Sequence, residues 1–152
     1  MKKINIETYK LDNKITKKFI KALNELKKEK NVAKDTCTIL GFQSENILKY
    51  SKYFHFKDTM EKILKKKYDV FHIHLIDYEK NGYQLEHDHK KTEDYSFILY
   101  LNNCNTGHTV FESSLKIKPE KNKLIVFKSD LKHYGETCLS NKKVAVGAMS
   151  YI

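Results

Sequence analysis

The sequence predicts an α+β domain in which N-terminal helices support a β-sandwich or barrel, and three observations carry that reading. Apolar residues recur at three- and four-residue steps in the first part of the chain. Beyond about residue 68 they give way to short runs rich in β-branched and aromatic residues. Clusters of Asn, Gly, Lys and Pro punctuate those runs.

The elements follow in order. Ile15, Phe19, Leu23 and Leu26 define one face of an amphipathic helix over about 13–29, with lysines on the wet face. Thr36–Leu40, ending at Gly41, reads as a short strand. Met60, Ile63 and Leu64 suggest a second helix over about 57–67. Val70–Tyr78, Tyr95–Asn102, Leu124–Lys128 and Lys143–Tyr151 are the stronger strands, and Gln84–His89, Thr109–Phe111 and Leu115–Lys118 the shorter ones. The spacers Glu79-Lys-Asn-Gly82, Asn102-Asn-Cys-Asn-Thr-Gly107 and Pro119-Glu-Lys-Asn122 are turn-like. With no linker or repeat, residues 1–152 are expected to form a single domain, 1–67 mainly helical support and 68–152 the β core.

Composition excludes several classes. At 152 residues the chain can bury a full core without disulfides or a structural metal. No apolar run reaches the length of a membrane-spanning helix, and MKKINIETYK lacks the apolar core of a signal peptide, so a cytoplasmic protein with no membrane partner is expected. Cys37, Cys104 and Cys138 form no CxxC pair, which fits free thiols in a reducing compartment. The net charge of +10 would suit a nucleic-acid partner, but all 29 basic residues are lysine. Without the arginine forks that read phosphates and bases, nucleic-acid binding is disfavoured and a solvated lysine surface preferred.

The histidines carry the chemistry. They are His55, His72, His74, His87, His89, His108 and His133. In Glu86-His87-Asp88-His89, strand alternation puts His87 and His89 on one face, where two imidazoles can grip one metal. His133, just past the strand LIVFK, is the natural third ligand. A lone HxH also describes the polar face of an edge strand, so the pattern by itself leaves both readings open. By the same parity His72, His74, Ile76 and Tyr78 share one face of their strand, and Phe71, Ile73 and Leu75 the other. If the helices cover the second set, the first points into the barrel mouth.

From Tyr78 to Ile152 these elements, in order, resemble the prolyl 4-hydroxylase-like branch of the 2-oxoglutarate- and iron(II)-dependent oxygenases. Tyr78-Glu-Lys-Asn-Gly82 resembles its Y-x-x-G element, with His87 at the expected distance. Ser96-Phe-Ile-Leu-Tyr-Leu-Asn102 resembles S-x-I-x-Y-L-N, and Gly107-His-Thr-Val-Phe111 resembles G-G-x-T-x-F with one glycine replaced. Ile117-Lys-Pro119 and Leu124–Phe127 are similar to the V-x-P element and the strand leading to the distal histidine. Lys143 follows His133 by the spacing of the family's cosubstrate lysine.

The resemblance implies a double-stranded β-helix core, jelly-roll and cupin-like, with N-terminal helices packed on one sheet. It implies Fe(II) held by His87, His89 and His133, with 2-oxoglutarate as cosubstrate, O2 as co-reactant and ascorbate as an accessory reductant. Lys143, Tyr100 and Tyr78 would bind the cosubstrate, and His74 would line the substrate pocket. The reaction implied is hydroxylation of a C–H bond, in a prolyl or other protein side chain or in a small molecule, with release of succinate and CO2. His89 departs from the family's H-x-D. A register slip would offer Asp88 instead, and three histidines also suit zinc, so a zinc-binding or non-catalytic module on the same scaffold is the alternative. His89 fills the space that halogenating relatives leave for halide.

Overall fold

The computed structural model describes residues 4–34, 36–88 and 94–152, with Ser113 by its backbone only. Two α-helices, α1 (Asn13–Lys28) and α2 (His55–Ile63), accompany nine strands: β1 (Glu7–Lys10), β2 (Thr38–Gln43), β3 (Tyr68–His87), β4 (Tyr95–Tyr100), β5 (Thr109–Phe111), β6 (Lys116–Ile117), β7 (Lys123–Lys128), β8 (His133–Gly135) and β9 (Lys142–Tyr151). Short 3₁₀ turns at Ile47–Lys49 and Ser51–Tyr53 lead into α2. None of the described helices is long and apolar enough to cross a membrane.

The strands pair antiparallel in the order β1-β7-β4-β9-β3-β8-β5-β6, with β2 also along β3. β3 is the spine. Its first half, Tyr68–Tyr78, pairs with β9, while Gln84 and His87 near its end pair with β8. One strand therefore belongs to both halves of the sheet, and the sheet curls over itself into the half-barrel of a double-stranded β-helix.

Alternation sorts the side chains into two cores. Ile73, Leu75, Phe97, Leu99, Ala145 and Met149 face outward, against Phe19, Leu23 and Leu26 of α1 and Phe56 and Met60 of α2. Ile76, Tyr78, Ile98, Tyr100, Phe111, Phe127 and Val144 face inward and fill the curl. Each large apolar side chain buried beneath the helices contributes about 1.5–3 kcal/mol relative to exposure. Helix α1 starts where the Asp12 carboxylate accepts from the Lys14 amide, and Lys27 and Lys28 in its last turn complement its dipole.

Several details differ from the sequence reading. The N-terminal third also supplies strands: β1 extends the sheet beside β7, and β2 lies on β3. Gln84–His89 is not a separate strand up to His87. The turn-like residues 79–82 lie within β3, because Ile39 and Thr38 of β2 pair with Tyr83 and Gln84. The irregularity remains as a distortion, with Asn81 at φ 74° and Gly82 so close to β2 that a Cβ would stand 2.4 Å from the Leu40 carbonyl. Thr16 is fully buried in α1, and Ile15 only partly. Phe71 does not face the helices. The register shifts between Val70 and His72, so Val70 takes the buried outer position and Phe71, 38% exposed, lines the inner cavity.

Candidate active site

A cavity of about 440 Å³ opens inside the curl. Its walls come from the inner faces of β3, β4, β7 and β9, from His133 at the start of β8, and from the segment between α1 and β2. His72, His74, His87 and His133 all line it, so four of the seven histidines converge on one space, as strand parity predicted for His72 and His74.

His87 and His133 are directly opposed across the β3–β8 ladder, with ring centroids 4.3 Å apart and planes at 60°. His87 Nδ1 donates to the Leu85 carbonyl at 2.7 Å, and His133 Nδ1 donates to the Leu131 carbonyl at 3.1 Å. A carbonyl can only accept, so each Nδ1 carries the proton and each neutral ring keeps its lone pair on Nε2. That is how a ligating histidine is oriented and its tautomer fixed. Burial pushes the His87 pKa down, opposed by the Leu85 carbonyl and Asp88, which favours the neutral, ligating form. His133 is buried against the rings of Phe111 and Phe127. His89 lies outside the described residues. Among those described, no group of three His, Cys, Asp or Glu side chains is gathered closely enough to hold a metal by itself, so a complete ligand set needs a donor beyond His87 and His133.

Deeper in the curl lies a second constellation. Lys142 is 3% exposed; its Nζ donates to the Gly107 carbonyl at 2.8 Å and stands 4.6 Å from the centre of the Tyr78 ring. Tyr100 is fully buried, and its hydroxyl shares a 2.6 Å hydrogen bond with Thr109 Oγ1. Register brings these groups together. Lys142 opposes Tyr78, Val144 opposes both Ile76 and Tyr100, and Thr109 opposes Gly135, where a Cβ would lie 3.6 Å from the Lys142 ammonium. Burial lowers the Lys142 pKa and raises those of Tyr78 and Tyr100, holding both phenols protonated. Among the described residues the buried ammonium has no carboxylate partner within ion-pair distance.

Lys143 is placed differently from what its spacing suggested. It lies opposite Asp77, and β9 alternation turns it to the helix side, away from the inner wall that Lys142 faces. The structure thus brings Tyr78, Tyr100, His74, His87 and His133 to the interior of the curl, and Lys143 to the other face. Sequence reasoning chose Lys143 over Lys142 and gave Thr109 no binding role. Alternation through Val144 and Val146 was the signal that could have found Lys142.

Residues 61–149, more than half of the chain, match the family model of the 2OG-Fe(II) oxygenase superfamily. The chain belongs to that superfamily. Solved oxygenase structures share its fold. A prolyl-4-hydroxylase from Pseudomonas putida superposes with a TM-score of 0.74 at 13% identity, over 98% of this chain and 94% of that one. The collagen prolyl hydroxylase of Paramecium bursaria Chlorella virus-1, in its 2-oxoglutarate complex, gives 0.71 at 17% identity, over 95% and 94%. HygX from Streptomyces hygroscopicus, with nickel and 2-oxoglutarate bound, gives 0.73 at 8% identity, over 96% and 82%. No curated protein sequence matches this chain.

Proposed function

We propose that this oxygenase hydroxylates a C–H bond at the expense of 2-oxoglutarate, releasing succinate and CO2. The observation that carries the reading is the cross-strand pair His87–His133, each imidazole tied through Nδ1 to a carbonyl, which puts its lone pair on Nε2. His87 and His133 would hold Fe(II) with His89 completing the set, Asp88 being the competing donor. The bound iron, with 2-oxoglutarate and O2, would supply the oxidising chemistry.

The chain's own residues do the rest. Lys142 would meet the distal carboxylate of the cosubstrate as a point charge, assisted by the hydroxyls of Tyr100 and Thr109. A single carbonyl satisfies only one of the three ammonium donors, so the cluster is suited to receiving an anion. Tyr78 lies beneath the ammonium, and its ring face favours the cation. Ile76, Ile98, Phe127 and Val146 give the cavity beside the histidine pair an apolar wall. The cavity mouth, with His74, would receive the substrate.

The test is succinate formation from 2-oxoglutarate by the Fe(II)-loaded protein. Turnover abolished by His87→Ala or His133→Ala supports the reading, and full turnover in either variant removes it. A zinc-binding, non-catalytic module is the second reading, favoured by the histidine at position 89 where relatives carry a carboxylate. Anaerobic Fe(II) with 2-oxoglutarate separates the two, since the chelate gives a visible charge-transfer band and a zinc module gives none.

A further inference from the structure

Lys142 is the first residue of β9, its side chain is buried, and its Nζ bonds the Gly107 carbonyl. A buried ammonium gains by reaching water, and the end of a strand opens more readily than its middle. The ammonium therefore needs something to keep it inside. Two asparagines fix the chain on either side of it.

Asn102 follows β4 and bridges the residues before and after Lys142. Its Nδ2 donates to the Asn141 carbonyl at 3.0 Å, and its Oδ1 accepts from the Lys143 amide at 2.9 Å. Asn141 adds a second hold. Its Nδ2 donates to the Tyr78 carbonyl at 2.8 Å and to one oxygen of the Asp77 carboxylate. Asp77 is buried, and its other oxygen accepts from Lys27, in the last turn of α1, at 2.8 Å. The Asn141 carbonyl also accepts from the Cys104 thiol at 3.2 Å. Residues 141–143 are thus tied to β3, to the end of β4 and, through Asp77, to α1.

Polarity calls for an amide at both places. Asn102 meets a carbonyl, which only accepts, and an N–H, which only donates, so it must offer one group of each kind. Asn141 donates to two acceptors from one nitrogen. An ionised aspartate has the same outline and none of these donors.

We infer that Asn102 and Asn141 are positioning residues for the cosubstrate: they clamp the peptide groups flanking Lys142 and so keep its ammonium in the buried cluster with Tyr78, Tyr100 and Thr109. This rests on the reading of Lys142 as the cosubstrate lysine and names what holds it there. Both asparagines act through Lys142.

The test has two arms, each applied to Asn102→Ala and Asn141→Ala singly in the full chain, so that either variant suffices if the other does not fold. The first arm needs no cosubstrate. Lysines are acetylated at single-hit levels and the rate at each position is read by mass spectrometry. Lys142 should react at least fivefold faster in the variants. Lys57, held by Glu61 and Asp69 at the far side of the fold, should change less than twofold. An unchanged Lys142, or a parallel rise at Lys57 that marks general loosening, overturns the clamp.

The second arm measures 2-oxoglutarate binding calorimetrically to the Fe(II)-loaded chain under anaerobic conditions. Each variant should bind three- to tenfold more weakly. In a Lys142→Met background the same substitution should cost less than twofold more, because the group it positions is already gone. Equal losses in both backgrounds overturn the inference. So does undiminished binding in the single variants when Lys142→Met itself binds weakly, and that result leaves the reading of Lys142 intact. Wild-type affinity in Lys142→Met overturns that reading, and this inference with it.

Discussion

Lys142 and Lys143 are neighbours on β9 and lie on opposite faces of the sheet. The first is buried beside Tyr78 with its ammonium on the Gly107 carbonyl, and the second lies opposite Asp77 on the side of the helices. Adjacent residues of one type thus have unlike surroundings, which makes them internal controls for each other. Lys142→Met should weaken 2-oxoglutarate binding about ten- to a hundredfold, the worth of a charge-assisted hydrogen bond. Lys143→Met should change it less than twofold. Titration by quenching of intrinsic tyrosine fluorescence reads both, and equal losses would show that the buried ammonium does not hold the cosubstrate.

The same ammonium sets a pH dependence. Burial lowers the Lys142 pKa, and the groups that raise it again, Cys138, Cys104 and Glu136, do not cancel the effect. Its charged form is disfavoured by folding, so its cost to stability is fully present below the folded pKa. That cost is relieved as pH rises from the folded value towards the unfolded one of about 10.4. Cosubstrate binding runs the other way, because it needs the charge. Affinity for 2-oxoglutarate should fall as pH rises through a midpoint below the ordinary lysine range, and that midpoint should be absent from Lys142→Met. The methionine variant should also melt no lower than the wild type at neutral pH, since it removes a buried charge that no carboxylate among the described residues pairs.

Much of this arrangement was legible in the sequence. The 3.6-residue period of Phe19, Leu23 and Leu26 marked the buried face of α1, and strand alternation marked His72, His74, Ile76 and Tyr78 as one wall. What escaped were features that depend on partners distant in sequence. A tetrapeptide such as Glu79-Lys-Asn-Gly82 signals a turn locally, yet β2 supplies pairing beside it and the strand continues. His133–Gly135 is three residues long and is a strand only because β3 and β5 flank it. The family spacing pointed to Lys143, while the inward position belongs to Lys142 because β9 is in register with Tyr78 there. A spacing counted along the chain does not determine which face a residue takes; the register does.

The ligand set has its own test. His87→Ala and His133→Ala should each lower Fe(II) affinity by about a hundredfold or more, beyond the 10–100-fold that loss of a ligand's hydrogen-bond partner typically costs. Asp88→Asn and His89→Ala then decide the third position. With His89 as ligand, the alanine variant should lose the charge-transfer band with 2-oxoglutarate while Asp88→Asn keeps it. The reverse pattern would assign the carboxylate.

The outer core predicts a loss of stability separable from the site. Phe19 is fully buried and stacks on Phe56 with centroids 4.2 Å apart, joining α1 to α2 over the sheet. Phe19→Ala should cost about 3–5 kcal/mol, a fall in Tm of roughly 10 °C for a chain of this length. The His87–His133 pair lies on the other side of the sheet, so metal affinity measured well below the new Tm should stay within twofold. A large change in affinity there would mean that the helices set the geometry of the site.

Gly147 joins the two faces. It opposes both Ile73 and Phe97 on the neighbouring strands and borders the inner cavity. A Cβ at this position would come within 2.0–2.7 Å of three ring atoms of Phe97, which is itself fully buried in the outer core. The glycine is therefore required by the Phe97 ring, since its φ is not in the left-handed region. Gly147→Ala should destabilise by about 1–3 kcal/mol through overpacking. Phe97→Leu alone should also destabilise, by leaving a void. Together they should recover part of the loss, because the smaller side chain vacates the space that the new methyl needs, and the departure from additivity in chemical denaturation measures the contact. Strict additivity would show that the ring is not what excludes a side chain at position 147.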